Sequence, residues 1–268
     1  MPTIGFLGAG NMAEAIVAGL CAKAGTDPYL VAVFDIAPVR MEHMGKAYGV
    51  RTCASADELC RASDAVVVAV KPHQVSDVLA DTKDSLAGRL VISIAAGVTL
   101  RRMSEELGPH ARIVRVMPNT PCLVRQGASV MCSSSRCTEE DRLLARGVFE
   151  SVGICLEMDE RYLDAVTALS GSGPAYCFLF LEALCDGAVR AGLPRDEAYR
   201  LAAATMKGAA TMALEPDSHP ARLKDMVTSP GGTTIEGIAA LEAGGFRSAV
   251  IEAVTAAWVR ARSLSGGD

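Results

Sequence analysis

Thr3-Ile-Gly-Phe-Leu-Gly-Ala-Gly-Asn-Met-Ala13 reads as a short apolar strand, a glycine loop and the start of a helix that continues over Asn11–Lys23. Gly8, Gly10 and Ala13 match G-x-G-x-x-G/A, and they sit where a dinucleotide-binding βαβ unit carries that pattern. The first glycine permits the tight turn and the second lets backbone approach a pyrophosphate. The small third residue lets helix and strand pack closely, while the helix N-terminus turns its positive end and unpaired N–H groups toward phosphate. Gly8, Ala9, Gly10, Asn11 and Met12 are therefore the expected cofactor loop.

Outward from this loop, Leu30–Phe34, Ala65–Val70, Leu90–Ile94 and Ile113–Val116 are continuous apolar runs, as parallel strands covered on both faces require. Pro38–Tyr48 and Gln74–Ala87 are helices of a length suited to right-handed crossovers. Glu139–Glu150 and a last run, Gly153–Met158, close the layer. The prediction is an α/β fold: an N-terminal Rossmann-type doubly wound sheet over residues 1–159 and an all-α domain over residues 160–268.

In that second domain the clearly polar positions of Ala175–Leu193 are Glu182, Asp186 and Arg190, four apart, which leaves one narrow polar stripe on an otherwise apolar helix. Pro194, Asp196 and Glu197 start another helix, and Thr233–Ala243 and Phe246–Arg262 make two more. So small a helical domain has little interior, and a second copy of the chain is expected to cover the apolar faces as a homodimer.

Composition narrows the function. The 268 residues are 50% hydrophobic and 21% charged, which excludes a disordered chain. A net charge of −5 gives no general electrostatic reason to bind nucleic acid. Mean hydropathy is +0.26, yet no uninterrupted apolar stretch reaches the roughly 20 residues of a membrane span, and no membrane partner is expected. Residues 1–7 carry no basic n-region of a signal peptide, so the expected location is cytoplasmic. The nine cysteines include no C-x-x-C and the four histidines no H-E-x-x-H, so no metal site is expected and the thiols read as reduced and mostly buried.

Further cofactor residues follow from strand ends. Asp35 ends the second strand, where a carboxylate takes hydrogen bonds from an adenosine ribose and repels a 2′-phosphate. This favours NADH over NADPH, with Arg40 as the cation that can offset it; the plainer alternative for Asp35 is a turn or cap residue. Val70, Lys71 and Pro72 end another strand, with Lys71 otherwise a solvated lysine. Ala95 and Ala96, within Ser93–Gly97, are small enough to let a flat nicotinamide lie close to the main chain.

Residues 1–265 resemble the Δ1-pyrroline-5-carboxylate reductases through Val114-Arg-Val-Met-Pro-Asn-Thr-Pro121, Leu169-Ser-Gly-Ser-Gly-Pro-Ala-Tyr176, Ser229-Pro-Gly-Gly-Thr-Thr-Ile-Glu-Gly237 and Gly244-Gly-Phe-Arg-Ser248. The resemblance implies reduction of the cyclic imine pyrroline-5-carboxylate to L-proline with NADH or NADPH, in an interlocked dimer that can assemble into a ring of dimers. It implies substrate contacts from Ser229, Gly232, Thr233 and Thr234, with the Thr234 hydroxyl near the ring nitrogen. It also brings Glu160 toward the substrate and Asn119 toward nicotinamide or substrate; an exposed junction charge and a turn-stabilising amide are their plainer alternatives. Read by themselves, residues 229–234 place small residues before a helix, which makes an anion cradle of its free N–H groups. Met226 departs from the polar residue expected of relatives there. A β-hydroxyacid-type dehydrogenase shares the layout but carries a lysine in its first long C-terminal helix, and Ala175–Leu193 has none. A nucleotide-sensing protein that binds cofactor without turnover is the non-enzymatic alternative.

Overall fold

The computed structural model describes residues 1–22 and 29–266. Its strands are β1 (Thr3–Leu7), β2 (Leu30–Phe34), β3 (Arg51–Thr52), β4 (Ala65–Val68), β5 (Leu90–Ser93), β6 (Arg112–Met117), β7 (Gly127–Ser133) and β8 (Gly153–Glu157). They form one sheet in the order β3-β2-β1-β4-β5-β6-β7-β8. Every pairing is parallel except β6 with β7, where Val116 lies opposite Met131. Between the strands run α1 (Asn11–Leu20), α2 (Pro38–Tyr48), α3 (Ala56–Ala62), α4 (Val75–Leu86), α5 (Leu100–Leu107) and α6 (Glu139–Glu150).

Side-chain alternation shows why the strands are apolar throughout. Ile4, Phe6, Val67 and Ile92 pack on one face with Ile16 of α1, Met44 of α2 and Phe149 of α6. Their neighbours Leu7, Val66, Val68 and Val91 pack on the other with Leu59 of α3, Leu79 of α4 and Met103 of α5. Each fully buried side chain of this kind contributes about 1.5–3 kcal/mol, so strands covered on both faces are predominantly apolar, with buried polar residues confined to positions such as Ser93 and Arg115.

The expected helix Asn11–Lys23 ends at Leu20, and Lys23 lies outside the described residues. Two strands and two helices of this layer carry no strong sequence signal. β3 has two residues, and β7 reads Gly-Ala-Ser-Val-Met-Cys-Ser, dominated by small side chains. α3 and α5 are short, each opened by a hydroxyl cap: Ser55 Oγ accepts from the Glu58 N–H and Thr99 Oγ1 from the Arg102 N–H.

The helical part comprises α7 (Leu163–Val166), α8 (Gly173–Arg190), α9 (Arg195–Ala213), α10 (Pro220–Met226), α11 (Thr233–Ala243) and α12 (Phe246–Ser265). The chain divides into two compact units, Met1–Ser172 with Ala257–Asp268 and Gly173–Ala256. That division differs from the junction expected at 159/160, and the packing of residues 160–172 gives the reason. Leu163 is fully buried with Val130 and Cys132 of β7. The buried Arg115 donates through Nη1 to Glu160 Oε1 at 2.9 Å, and the Ser265 hydroxyl donates to Asp164 Oδ2 at 2.9 Å. The segment after β8 and the end of α12 thus belong to the sheet's own packing.

Gly173–Ala256 is of a different kind. The Phe180 and Phe246 rings lie 5.5 Å apart and the Tyr176 hydroxyl donates to the Ala253 carbonyl. Yet Cys185 and Ala198 are its only buried apolar residues, while Phe178 is 64% and Leu179 69% exposed. The helix that reads as apolar nearly all round is only partly covered within this unit, which is the circumstance that favours a second copy. Leu179→Glu is expected to weaken self-association at least ~10-fold, since one lost apolar contact per subunit exceeds about 1.4 kcal/mol. Light scattering over a dilution series reads this, and an undiminished oligomer would place Leu179 outside the interface.

Candidate active site

The carboxyl ends of the parallel strands, where ligands bind in open α/β sheets, line a cavity of about 720 Å3. Gly8 ends β1 with φ +99°, and a Cβ there would lie 2.8 Å from the Ala69 carbonyl oxygen. Its N–H donates to the Phe34 carbonyl at 2.8 Å, so the turn is tied to both neighbouring strands. At Gly10, by contrast, a Cβ would meet nothing within 4 Å. Gly10 is also the N-cap of α1 and has no side chain to satisfy the helix's first N–H groups. The loop therefore holds open a space bordered by unanswered backbone donors, which is what a pyrophosphate requires.

Gly8, Gly10, Asn11, Met12 and Asp35 all border this cavity, as do Val70, Lys71, Pro72, Ala95 and Ala96. Ala9 does not: it is fully buried and acts through its peptide groups. Its N–H donates to Asp35 Oδ2 at 2.7 Å, and its carbonyl accepts from Arg40 Nε at 2.7 Å. Asp35 Oδ1 accepts from the Ala37 N–H at 2.8 Å, so the carboxylate is fixed by backbone on both oxygens while still bordering the cavity.

Arg40, the cation expected to offset Asp35, is turned to Glu14 of α1 and is absent from the cavity wall. Glu14 accepts from Arg40 and Tyr48 and pairs with His43 Nε2 at 2.6 Å. Burial pushes the Glu14 carboxyl up, but the hydrogen bonds from Arg40, His43 and Tyr48 outweigh it and hold the pKa at about 2.

The Asn119 side chain does not border the cavity. It is buried and points inward: Nδ2 donates to the Ser170 carbonyl at 3.0 Å and Oδ1 accepts from the Ala128 N–H at 2.9 Å. Its neighbours Met117, Pro118 and Thr120 reach the cavity instead. Gln74, whose Oε1 accepts from the Lys71 N–H, and the apolar Phe34, Ile36 and Ala56 beside Asp35 also border the cavity and were not singled out from sequence.

Glu160 is not simply an exposed charge. Oε1 accepts from Arg115 and also from the Leu100 N–H at 2.8 Å, at the start of α5. It braces the helix that follows the Ser93–Gly97 turn. In the second unit, Ser229 and Thr233 are exposed and Thr234 is half-buried. Gly232, the N-cap of α11, offers no side-chain cap, and its N–H donates to the Ser229 carbonyl at 3.1 Å. The first turn of α11 is thus another uncapped helix start. The buried thiols of Cys132 and Cys155 are pushed up to about 12 by burial and stay protonated at neutral pH. No cluster of metal-ligating side chains occurs among the described residues.

Comparison with known proteins sets these features in a lineage. Residues 160–264 match the family described as pyrroline-5-carboxylate reductase dimerisation, and residues 3–97 match NADP oxidoreductase coenzyme F420-dependent. A pyrroline-5-carboxylate reductase of Pisum sativum is 47% identical over 98% of this chain and 96% of its own. That of Escherichia coli is 42% identical over 98% of each. The solved reductase of Coxiella burnetii superposes with a TM-score of 0.93 at 41% identity, covering 98% of both chains. That of Plasmodium falciparum, with NADP bound, gives 0.87 at 35%, again over 98% of both.

The chain belongs to the pyrroline-5-carboxylate reductase family. Family membership accounts for the exposed helices: the stretch 160–190 is long and apolar enough to cross a membrane by length and composition, and it opens the reductase dimerisation region. The homo-oligomer expected from the apolar helix is a property of this family. A nicotinamide cofactor goes with this family, and the residues bordering the groove fit one: an open glycine loop, an uncapped helix start and a carboxylate just past β2.

The two loop glycines predict opposite phenotypes in the reductase. Gly8→Ala is expected to lower Tm, because its positive φ costs an L-residue about 1–2 kcal/mol even before the clash with Ala69 is counted. Gly10→Ala is expected to leave Tm nearly unchanged and to weaken NADH and NADPH binding by ~10-fold or more, about 1.4 kcal/mol, as read by nicotinamide fluorescence titration. Equal binding by Gly10→Ala and the native chain would contradict this account of the loop.

Proposed function

We propose that the chain catalyses the NAD(P)H-dependent reduction of pyrroline-5-carboxylate to L-proline, the last step of proline biosynthesis. One observation carries the reading: a dinucleotide groove and the reductase dimerisation region lie in one chain that is over 40% identical to pyrroline-5-carboxylate reductases along nearly its whole length. When bound, a reduced nicotinamide would supply the hydride that substrate C5 accepts. The electron pair of the C5=N bond moves to nitrogen, and one proton completes the secondary amine.

A protonated cyclic imine is already a strong hydride acceptor, so the protein's task is orientation and charge placement rather than base or nucleophile chemistry. The N–H groups of Thr233 and Thr234 at the uncapped start of α11 receive the substrate carboxylate, with Gly232 leaving room for it and the Ser229 hydroxyl beside them. The Thr234 hydroxyl hydrogen-bonds the ring nitrogen. Glu160 and Asn119 act as positioning residues: Glu160 fixes the start of α5, and Asn119 ties residues 118–120 to Ser170 and Ala128. Lys71, exposed on the groove wall with no charged partner among the described ion pairs, is positioned to meet cofactor phosphate.

NADH is the proposed preferred cofactor. The support is Asp35 on the groove wall and Arg40 held away from it by Glu14. The buried cysteines are thiols, which suits the reducing cytoplasm proposed as its location.

Folded protein is expected to consume reduced nicotinamide with pyrroline-5-carboxylate and to form proline, with a higher kcat/KM for NADH than for NADPH. Cofactor binding without turnover would move the assignment to the sensing alternative. Thr234→Ala is expected to lower kcat/KM by roughly 10- to 100-fold, the loss of one transition-state hydrogen bond. An unchanged value in folded protein would remove Thr234 from the mechanism.

A further inference from the structure

The cofactor loop is gripped through a single peptide-bearing residue. Ala9 gives its N–H to Asp35 and its carbonyl to Arg40, so a carboxylate and a guanidinium stand on the two polar groups of one residue, at the end of the groove that Asp35 borders. Arg40 is thus the cation best situated to answer a phosphate on the adenosine ribose. Its Nη2, however, lies on Glu14 Oε2 and its Nε on the Ala9 carbonyl. Glu14 does not border the groove. It reaches Arg40 from the first turn of α1, and His43 and Tyr48 from α2 hold it in place from the other side.

Resting on the NADH preference proposed above, we infer that Glu14 is a specificity-positioning residue: it sequesters Arg40 and thereby denies the enzyme a cation for the 2′-phosphate of NADPH. The charge balance favours this. With Arg40 neutralised by Glu14 away from the wall, the charge the groove end presents is the Asp35 carboxylate. A phosphate dianion brought there meets net repulsion, whereas the ribose hydroxyls of NADH meet only the acceptor Asp35. Lys46 on α2 is paired with Glu42 and His43 lies on Glu14, while Lys71 on the groove wall is the cation proposed for the cofactor phosphate that NADH and NADPH share, so it does not distinguish them. The Glu14 carboxyl is held near 2, so the sequestration persists throughout the neutral range. Arg40 in this account is a group that the fold provides and Glu14 withholds, and discrimination arises from the withheld contact as much as from Asp35.

The test uses the full-length oligomer and two probes that differ by one group, adenosine 2′,5′-bisphosphate and adenosine 5′-monophosphate, titrated by calorimetry. Glu14→Gln keeps the size and the Ala9–Arg40 bond but discharges the partner. It is expected to tighten binding of the bisphosphate by about 10-fold with little change for the monophosphate, the gain of one charge-assisted phosphate contact. The gain is expected to vanish in Glu14→Gln with Arg40→Ala. The NADPH-to-NADH ratio of kcat/KM is expected to rise in parallel. In the native background, Arg40→Ala is expected to leave the difference between the two probes unchanged. If Arg40→Ala alone weakens the bisphosphate selectively, Arg40 reaches the phosphate despite Glu14 and the inference fails. It fails equally if Glu14→Gln, folded by its Tm, leaves the difference between the probes as it was. The native NADH-to-NADPH ratio is a separate readout: native preference for NADPH would overturn the NADH reading, whatever the variants do.

Discussion

At the end of β1 the chain must turn within one residue so that the start of α1 points across the sheet edge, and the backbone reaches that turn at Gly8 with φ +99°. The turn sits in the middle of the sheet, with β2 on one side and β4 on the other. The Gly8 N–H binds the Phe34 carbonyl on one side and the Ala69 N–H binds the Leu7 carbonyl on the other. A side chain cannot be accommodated there without moving one of the two neighbours. The groove depends on this constraint: Asp35 follows Phe34, Val70 and Lys71 follow Ala69, and the loop that faces them both begins at Gly8. Displacement of this one turn would shift the helix N-terminus and both walls together.

Much of this was legible in the sequence because parallel strands covered on both faces leave an unbroken apolar signature. Ile4 and Phe6 belong to one face and Leu7 to the other, so no polar residue interrupts the run. The glycine pattern then placed the loop without ambiguity. β7 was not legible for the converse reason: its antiparallel place in the sheet lets Ser129 be buried, and its small residues resemble a turn. Asn119 shows how a motif can border the groove while one of its side chains is turned away from it. Met117, Pro118 and Thr120 border the groove, whereas Asn119 is held by the Ser170 carbonyl and the Ala128 N–H, partners that its own motif does not contain. Glu160 was legible as a special position but not as a brace, because Arg115 and Leu100, which it joins, are far from it in sequence.

The two units solve the burial problem in opposite ways. The sheet unit is self-sufficient, with side chains at or near zero exposure on both faces. The helices of Gly173–Ala256 bury hardly any of their own apolar surface, so their stability and that of the dimer are one quantity. In the sequence this showed as a helix with too narrow a polar stripe. An uncovered helix of that composition has few other stable environments in water, which is why length and apolarity alone give it the profile of a membrane span.

The chemistry proposed for the chain fits the absence of a strong acid–base pair from its groove. Where the substrate carries its own electrophile, a helix start for its carboxylate and one hydroxyl for its nitrogen are sufficient polar equipment, and the rest of the site can be apolar and close-packed. The starts of α1 and α11 have glycine as N-cap where serine, threonine or aspartate would have stabilised the isolated helix by about 1 kcal/mol. α3, α5 and α6 of the same chain do carry hydroxyl caps, from Ser55, Thr99 and Thr138. α2 and α9 also start without a side-chain cap, on Ala37 and Pro194, so what sets α1 and α11 apart is the glycine that leaves their first N–H groups open to an approaching anion. In the proposed reaction, phosphate and carboxylate bound at those two positions would return the stability forgone in the apo protein, which couples ligand affinity to backbone groups that define the fold.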